Sequence, residues 1–326
     1  MWTSRAHADR GSALLAVLWL AAGLSAIAFS VATTVRSETE RASTSVDGTR
    51  AYYLASGSID RAILWRAWGQ GSAQYYQPPM NRLWFDYPSG KVVVEIVPES
   101  GKLNINTSAP QEIQLLLAAL GTDPERSQQL AATIVAWRTP GPRGDVLPLS
   151  MTPPSSFQPP HASFQELEEI LLVPGMTPEL FYGHYDRDGS GRLIPRGGLR
   201  DSLTVYGSGE SVDVNTASPA LLASLGISDD AIAQILARRQ VQPFKAIEEV
   251  QPLIQGAPGA GRLAVGGNSI WTLRATARLK LADGRLGDLR RSVAAVVKYI
   301  DKGEADEPFH ILRWYDDAWS PSGSGF

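Results

Sequence analysis

Between Arg10 and Arg36 the chain carries no charged residue. A helix needs roughly 20 predominantly apolar residues to cross ~30 Å of hydrocarbon. The run from residue 11 to 35, GSALLAVLWLAAGLSAIAFSVATTV, is longer than that. It predicts a helix held in a bilayer. Arg5 and Arg10 precede it, so the N-terminus is expected to stay cytoplasmic while the bulk of the chain is sent outward. Ala26–Ala28 would suit the cut of a secretory signal, but signals have apolar regions of about 7–15 residues, and this one runs on to Val35.

The helix is expected to continue to about Trp68. Tyr53, Ile59, Ile63, Leu64 and Trp68 are spaced among charges in a way that fits an amphipathic face, with Gly48 and Gly57 as points of weakness.

The middle of the chain repeats itself. LNINTSAPQEIQLLLAALG begins at Leu103 and VDVNTASPALLASLGISDDAIAQILARR at Val212. Asn106 and Thr107 align with Asn215 and Thr216, and Pro110 with Pro219. Further on, Ala136–Arg138 answers Ala237–Arg239, and FQELEEI from Phe164 answers FKAIEEV from Phe244. Each unit reads as a helical hairpin. Thr107 or Ser108, and Thr216 or Ser218, are the expected caps of helices that have proline in the first turn. Turns follow at Gly121 and Gly226. The opening resembles helix-hairpin-helix modules, including those of DNA-uptake receptors, where a Gly-x-Gly turn aims backbone N–H groups at a phosphate. Here neither turn has the second glycine, and Asp123, Asp229 and Asp230 stand where phosphate would sit. The net charge of −3 and a pI of about 5.9 also argue against nucleic acid as the main partner.

Around the repeats lie strands. LWFDYPSGKVVVEIVPE predicts a pair joined at Ser89–Gly90. SIWTLRATARLKLADGRLGDLRRSVAAVVKYI predicts a hairpin at Asp283–Gly284. FHILRWYDDAW predicts a last strand. The fold class expected is α+β, with a long N-terminal helix packed on a small antiparallel sheet and an all-α, helix-hairpin-helix-type domain inserted between the strands.

No catalytic motif stands out: there is no Gly-x-Ser-x-Gly elbow, His-Glu-x-x-His or phosphate loop. The chain has no cysteine and four scattered histidines, His7, His161, His184 and His310, so thiolate chemistry is excluded. Glu166, Glu168 and Glu169 read as a solvated helix face. DRDGSGR from Asp186 is the one candidate metal loop. Asp186, Asp188 and Ser190 place oxygen ligands at positions one, three and five of a calcium loop, with Gly191 for the turn. Gly197 stands where a position-twelve glutamate is needed, so the remaining ligands would come from Asp201, Glu210 or Asp213. The Pro/Ser-rich stretch 140–162 reads as an exposed loop or a docking segment.

The basic leader, Gly11, Ser12 and the uninterrupted apolar helix resemble the N-termini of type IV prepilin-like proteins. That resemblance implies cleavage by prepilin peptidase between Gly11 and Ser12, N-methylation of Ser12, and a leader of residues 1–11. The family usually has glutamate at mature position five; here it is Ala16. A carboxylate in lipid is costly unless paired, and in the family it pairs with the amine of the subunit ahead. A subunit with none ahead has no use for it.

RGSALLAVLWL, AYYLASGSIDRAI, GKLNINTSAP, FQELEEILLVPGMT and VDVNTASP, in this order over nearly the whole chain, resemble the K-type minor pseudopilins of type II secretion. The resemblance implies a transmembrane helix at 12–35, a pilin-like part at 36–102 and 266–326, and a helical domain at 103–265. It implies a non-enzymatic inner-membrane protein with a periplasmic domain, which joins the I- and J-type minor pseudopilins to cap and prime the pseudopilus. The helical domain would face secretin or cargo. It also implies calcium as a cofactor, which strengthens interest in Asp186, Asp188 and Ser190. The competing expectation is a DNA-binding helix-hairpin-helix receptor or a minor pilin of a competence or type IV pilus system.

Overall fold

The computed structural model describes residues 9–69, 82–141, 160–207, 209–267, 269–300 and 308–318, with side chains from Ala13 onward apart from 66–69. Most of the leader and most of the Pro/Ser-rich stretch lie outside the described residues, as does the side chain of Trp68.

Helix α1 covers Asp9–Gly69, and strands β1 (Arg82–Tyr87) and β2 (Gly90–Pro98) follow. The first repeat unit contains β3 (Leu103–Asn104), α2 (Pro110–Ala119), α3 (Pro124–Arg138), α4 (Pro178–Tyr182), β4 (His184–Arg187), β5 (Leu193–Arg196) and β6 (Leu203–Thr204). The second contains β7 (Val212–Asp213), α5 (Pro219–Ser224), α6 (Asp229–Val241), α7 (Gln251–Ile254) and β8 (Leu263–Ala264). Strands β9 (Ile270–Lys280), β10 (Leu286–Tyr299) and β11 (Phe309–Tyr315) complete the chain.

The 61 residues of α1 form one unbroken helix, about 90 Å long at 1.5 Å per residue. None of its apolar window is buried inside the protein, so this end is not the core helix of a globule. Farther along, Ala51, Ala55, Ile59, Ala62 and Ile63 are buried against the sheet. Tyr53 and Leu64, read from sequence as part of that face, point away, at 69% and 41% exposure. The reason is angular. Leu64 follows Ile63 by one residue, a rotation of about 100°, and the contact that Ile59 and Ile63 make is completed by alanines. Their small size lets the helix lie close to the strands.

The sheet is antiparallel throughout, in the order β1-β2-β9-β10-β11. Strands β2 and β9 are neighbours, pairing Val94 with Ala275, although both repeat units lie between them in sequence. Val92, Val94, Ile96, Leu273, Ala275, Val293 and Ala295 alternate onto the α1 side and pack there. On the other face Glu95 accepts from Arg82 (2.9 Å) and Arg274 (3.3 Å).

Within the repeats the recurring residues have recurring tasks. In the first unit the Asn106 amide donates to the Phe164 carbonyl (2.9 Å) and its Oδ1 accepts from the Phe164 N–H (2.8 Å). In the second, Asn215 makes both bonds to Phe244, each at 2.9 Å. Arg239 donates to the carbonyls of Val214 (2.9 Å) and Ala217 (2.8 Å), and Arg138 donates to those of Ile105 and Ser108. Short parallel bridges, β3 with β6 and β7 with β8, close each unit on its own start. The caps differ from expectation in one unit. Ser218 accepts from the Leu221 N–H as expected. In the first unit neither Thr107 nor Ser108 caps α2. The cap position is Ala109, whose N–H donates to Glu112 (2.8 Å), because Ser108 and Ala109 are transposed relative to Ala217 and Ser218.

Candidate functional site

Three surfaces bear on function: the outward face of α1, the helical-hairpin turns, and the β4–β5 hairpin.

Opposite its sheet-packed side, α1 presents Val46, Arg50, Tyr53, Gly57, Asp60 and Leu64, at alternating intervals of four and three residues. That spacing draws one seam along a helix. Val46 is 50% exposed. A Cβ added to Gly57 or Gly48 would meet nothing within 4 Å, so neither glycine is required by packing inside this chain, although each costs the helix about 1 kcal/mol relative to alanine. The seam runs beside a groove between α1 and the sheet end, where the Tyr52 hydroxyl donates to Asp316 (2.7 Å). Gly11 and Ser12 lie in the first turn of α1, their side chains outside the described residues. Ala16 lies in the exposed apolar part, with no acidic group at that position.

The hairpin turns keep their polar groups for themselves. In the first, the Gly121 and Thr122 N–H groups donate to Ala118 and Leu117, and Asp123 caps α3 by accepting from Arg126 (2.9 Å). In the second, the Gly226 N–H donates to Ala223, and Pro258 and Gly259 lie across the turn. A Cβ at Gly226 would be 2.6 Å from Pro258, and one at Gly259 would be 2.8 Å from Leu225. The amides that a DNA phosphate would use in the second turn are therefore covered.

Asp186, Asp188 and Ser190 fall on one β-hairpin rather than in an open loop. Asp188 Oδ1 accepts from the Ser190 hydroxyl (2.6 Å) and from the N–H groups of Ser190 and Arg192 (both 2.9 Å). Asp186 accepts from Arg196 (2.8 Å) and faces His184 Nε2 (3.3 Å). Two of the expected auxiliary ligands are engaged elsewhere. Asp201 accepts from the Gly198 N–H (3.1 Å). Asp213 is buried and accepts from Asn215, Thr216 and Gly266. Glu210 is exposed, and only its backbone carbonyl, which accepts from Arg262 (2.9 Å), is engaged. Among the described residues no group of three or more His, Cys, Asp or Glu side chains could hold a metal. The residues present do not form a calcium cage.

The Arg196 hydrogen bond holds the Asp186 carboxyl below the usual aspartate range, with a further contribution from His184. A lowered folded value contributes stability that is present above the ordinary aspartate pKa of about 3.9 and is lost as pH falls through the lowered value. Carboxyl-carbon NMR is expected to place the Asp186 midpoint below that reference, and Arg196→Gln is expected to return it upward. A midpoint unmoved by the substitution would mean the pair does not persist in solution.

Sequence reading missed the junction between the helical units and the sheet. Glu166 accepts from the Tyr315 hydroxyl (2.7 Å) and pairs with Arg313, both on β11. Glu168 faces Arg200 (3.5 Å), and Glu169 accepts from the Glu166 N–H (3.0 Å). Glu168 is exposed as expected, but Glu166 and Glu169 are half-buried and engaged rather than part of a solvated face. Burial, with hydrogen bonding to Tyr206 and Glu166, pushes the Tyr315 phenol well above its ordinary range. A crevice of about 770 Å³ lies behind this junction, lined by Glu99, Arg200, Tyr206 and Arg274 among others.

Residues 212–266 match the family model for type II secretion system protein K. A chain in the crystal structure of the GspK–GspI–GspJ complex from the type 2 secretion system of enterotoxigenic Escherichia coli shares the fold. Its TM-score is 0.54 at 12% identity, over 83% of this chain and 99% of that one. The chain resembles type II secretion system protein K over that segment and shares the fold of a chain of the complex. Among curated proteins none matches it in sequence. The segment matched by the family model is the second repeat unit, from β7 to just beyond β8. The N-terminal helix of the chain is long and apolar enough to cross a membrane.

Proposed function

We propose that this chain is a minor pseudopilin that sits at the tip of the type II secretion pseudopilus and primes filament assembly with I- and J-type minor pseudopilins, so that cargo is exported across the outer membrane. The observation that carries this reading is the two-faced α1. One face is filled by the sheet. The other presents Val46, Tyr53 and Leu64 to solvent around an open Gly57, which is the relief a second helix packs against. The protein whose fold it shares assembles with GspI and GspJ; we extend those partner types to this chain. Ala16 supports the terminal position, since a subunit with none ahead of it has no amine to neutralise. The helical units add bulk that suits a cap better than a shaft. The role is structural, with no catalytic step assigned. The anchor is inner-membrane, the remainder periplasmic, and the helical units face secretin or cargo.

Co-expression of the full chain with its I- and J-type partners, followed by detergent extraction and affinity capture, tests the reading. A stable ternary complex is expected; recovery of the chain alone would sink it. Processing is tested by Gly11→Val. Intact mass spectrometry should then find the leader retained on a protein that still inserts in the membrane, and without methylation at Ser12. Normal processing of that variant would place the cut elsewhere.

A further inference from the structure

We propose that the β4–β5 hairpin is closed by an internal cation, the Arg196 guanidinium, and that its fold is independent of calcium. The inference concerns the hairpin alone and stands apart from the chain's place in a filament. An isolated two-stranded hairpin is marginally stable in water. No residue of β4 or β5 is buried, and Tyr185 and Leu193 are 64% and 53% exposed. Packing therefore does not hold this element, and something local must.

Three devices do so, one at each level. At the root, glycine backbones meet directly. A Cβ at Gly183 would lie 2.1 Å from the Arg196 carbonyl oxygen, and one at Gly198 would lie 2.3 Å from that of Phe181. At the tip, Asp188 gathers three donors from its own turn, and Gly191 takes a φ of +84° that a side chain would resist. Between them sits the ion pair. The register puts His184 opposite Arg196 and Asp186 opposite Ile194. Asp186 and Arg196 are thus diagonal neighbours on one face, within reach of a long side chain.

A calcium ion here would have to displace Arg196 from Asp186 and pull Asp188 from the amides that shape the tip. It would do so without a third acidic side chain to complete the shell, since Gly197 replaces the expected glutamate. The positive charge that a metal would bring to Asp186 is already covalently attached to the opposite strand.

The test uses the full chain in detergent micelles and hydrogen exchange of the amides between His184 and Arg196, measured in calcium chloride and in EGTA. Exchange is expected to be the same in both. Arg196→Gln should speed it by up to about fivefold in both, the range of an exposed ion pair. Arg196→Glu, which adds a third carboxylate, should open the hairpin in EGTA and close it again in calcium. The proposal is overturned if calcium slows exchange in the unmodified hairpin by a similar factor and Asp186→Asn removes that protection. It is equally overturned if Arg196→Glu exchanges like the unmodified chain in EGTA, because the ion pair would then hold nothing.

Discussion

Trp137→Ala is expected to lower the stability of the helical units by about 3–5 kcal/mol, whereas Arg238→Ala at the equivalent repeat position should cost only about 1 kcal/mol. The two residues occupy matching places with unlike chemistry. Trp137 is 1% exposed and stacks on Phe164, ring centroids 6.4 Å apart and planes within 5°. Arg238 lies 4.9 Å over the Phe244 ring and pairs with Glu249, but its side chain is 48% exposed. Truncating the tryptophan removes a large buried surface and leaves a cavity. Truncating the arginine removes a half-solvated contact. Each phenylalanine is held by two hydrogen bonds to its asparagine, so neither ring is free to swing in and fill the gap. Urea denaturation followed by far-ultraviolet circular dichroism avoids the loss of the tryptophan signal itself. Equal costs at the two positions would show that the first unit does not depend on this stack.

Gly57→Trp should reduce capture of the proposed I- and J-type partners by roughly 5- to 150-fold, the factor that corresponds to about 1–3 kcal/mol of overpacking at an interface. The melting temperature of the chain alone should not fall, since tryptophan suits a helix better than glycine does. The expectation joins two observations: nothing within this protein approaches Gly57, and Val46, Tyr53 and Leu64 share its face. Gly57→Ala gives the complementary result, since replacing an exposed helical glycine should raise the stability of the free chain by up to about 1 kcal/mol. Unchanged capture by Gly57→Trp would remove this face of α1 from the proposed assembly interface while leaving the shared fold untouched.

Much of the architecture was legible beforehand. The apolar run, the Ser89–Gly90 and Asp283–Gly284 turns and the repeat each act over a few neighbouring residues, and each appears as read. The face of α1 was only half legible. Large residues at near-helical spacing marked Ile59 and Ile63, which are buried, but also Tyr53 and Leu64, which are not; Ala51, Ala55 and Ala62 complete the contact, and their value lies in closeness rather than in apolar area. The candidate calcium loop followed from a ligand pattern that a tight polar hairpin also satisfies. Which of the two it is depends on Arg196, at the far end of the opposite strand.

By itself the amino-acid order determined what depends on nearest neighbours along the chain: a membrane-length helix, strands joined by tight turns, and two helical hairpins built on one plan. Tertiary structure alone decided which charges meet. Glu166 and Tyr315 are 149 positions apart, and the Glu166 segment reads as a solvated run until β11 is laid beside it. Hydrophobic periodicity is recorded locally because it repeats with the backbone. An ion pair or a phenol–carboxylate bond leaves no local record, since its energy depends on a distance that exists only once the sheet has formed.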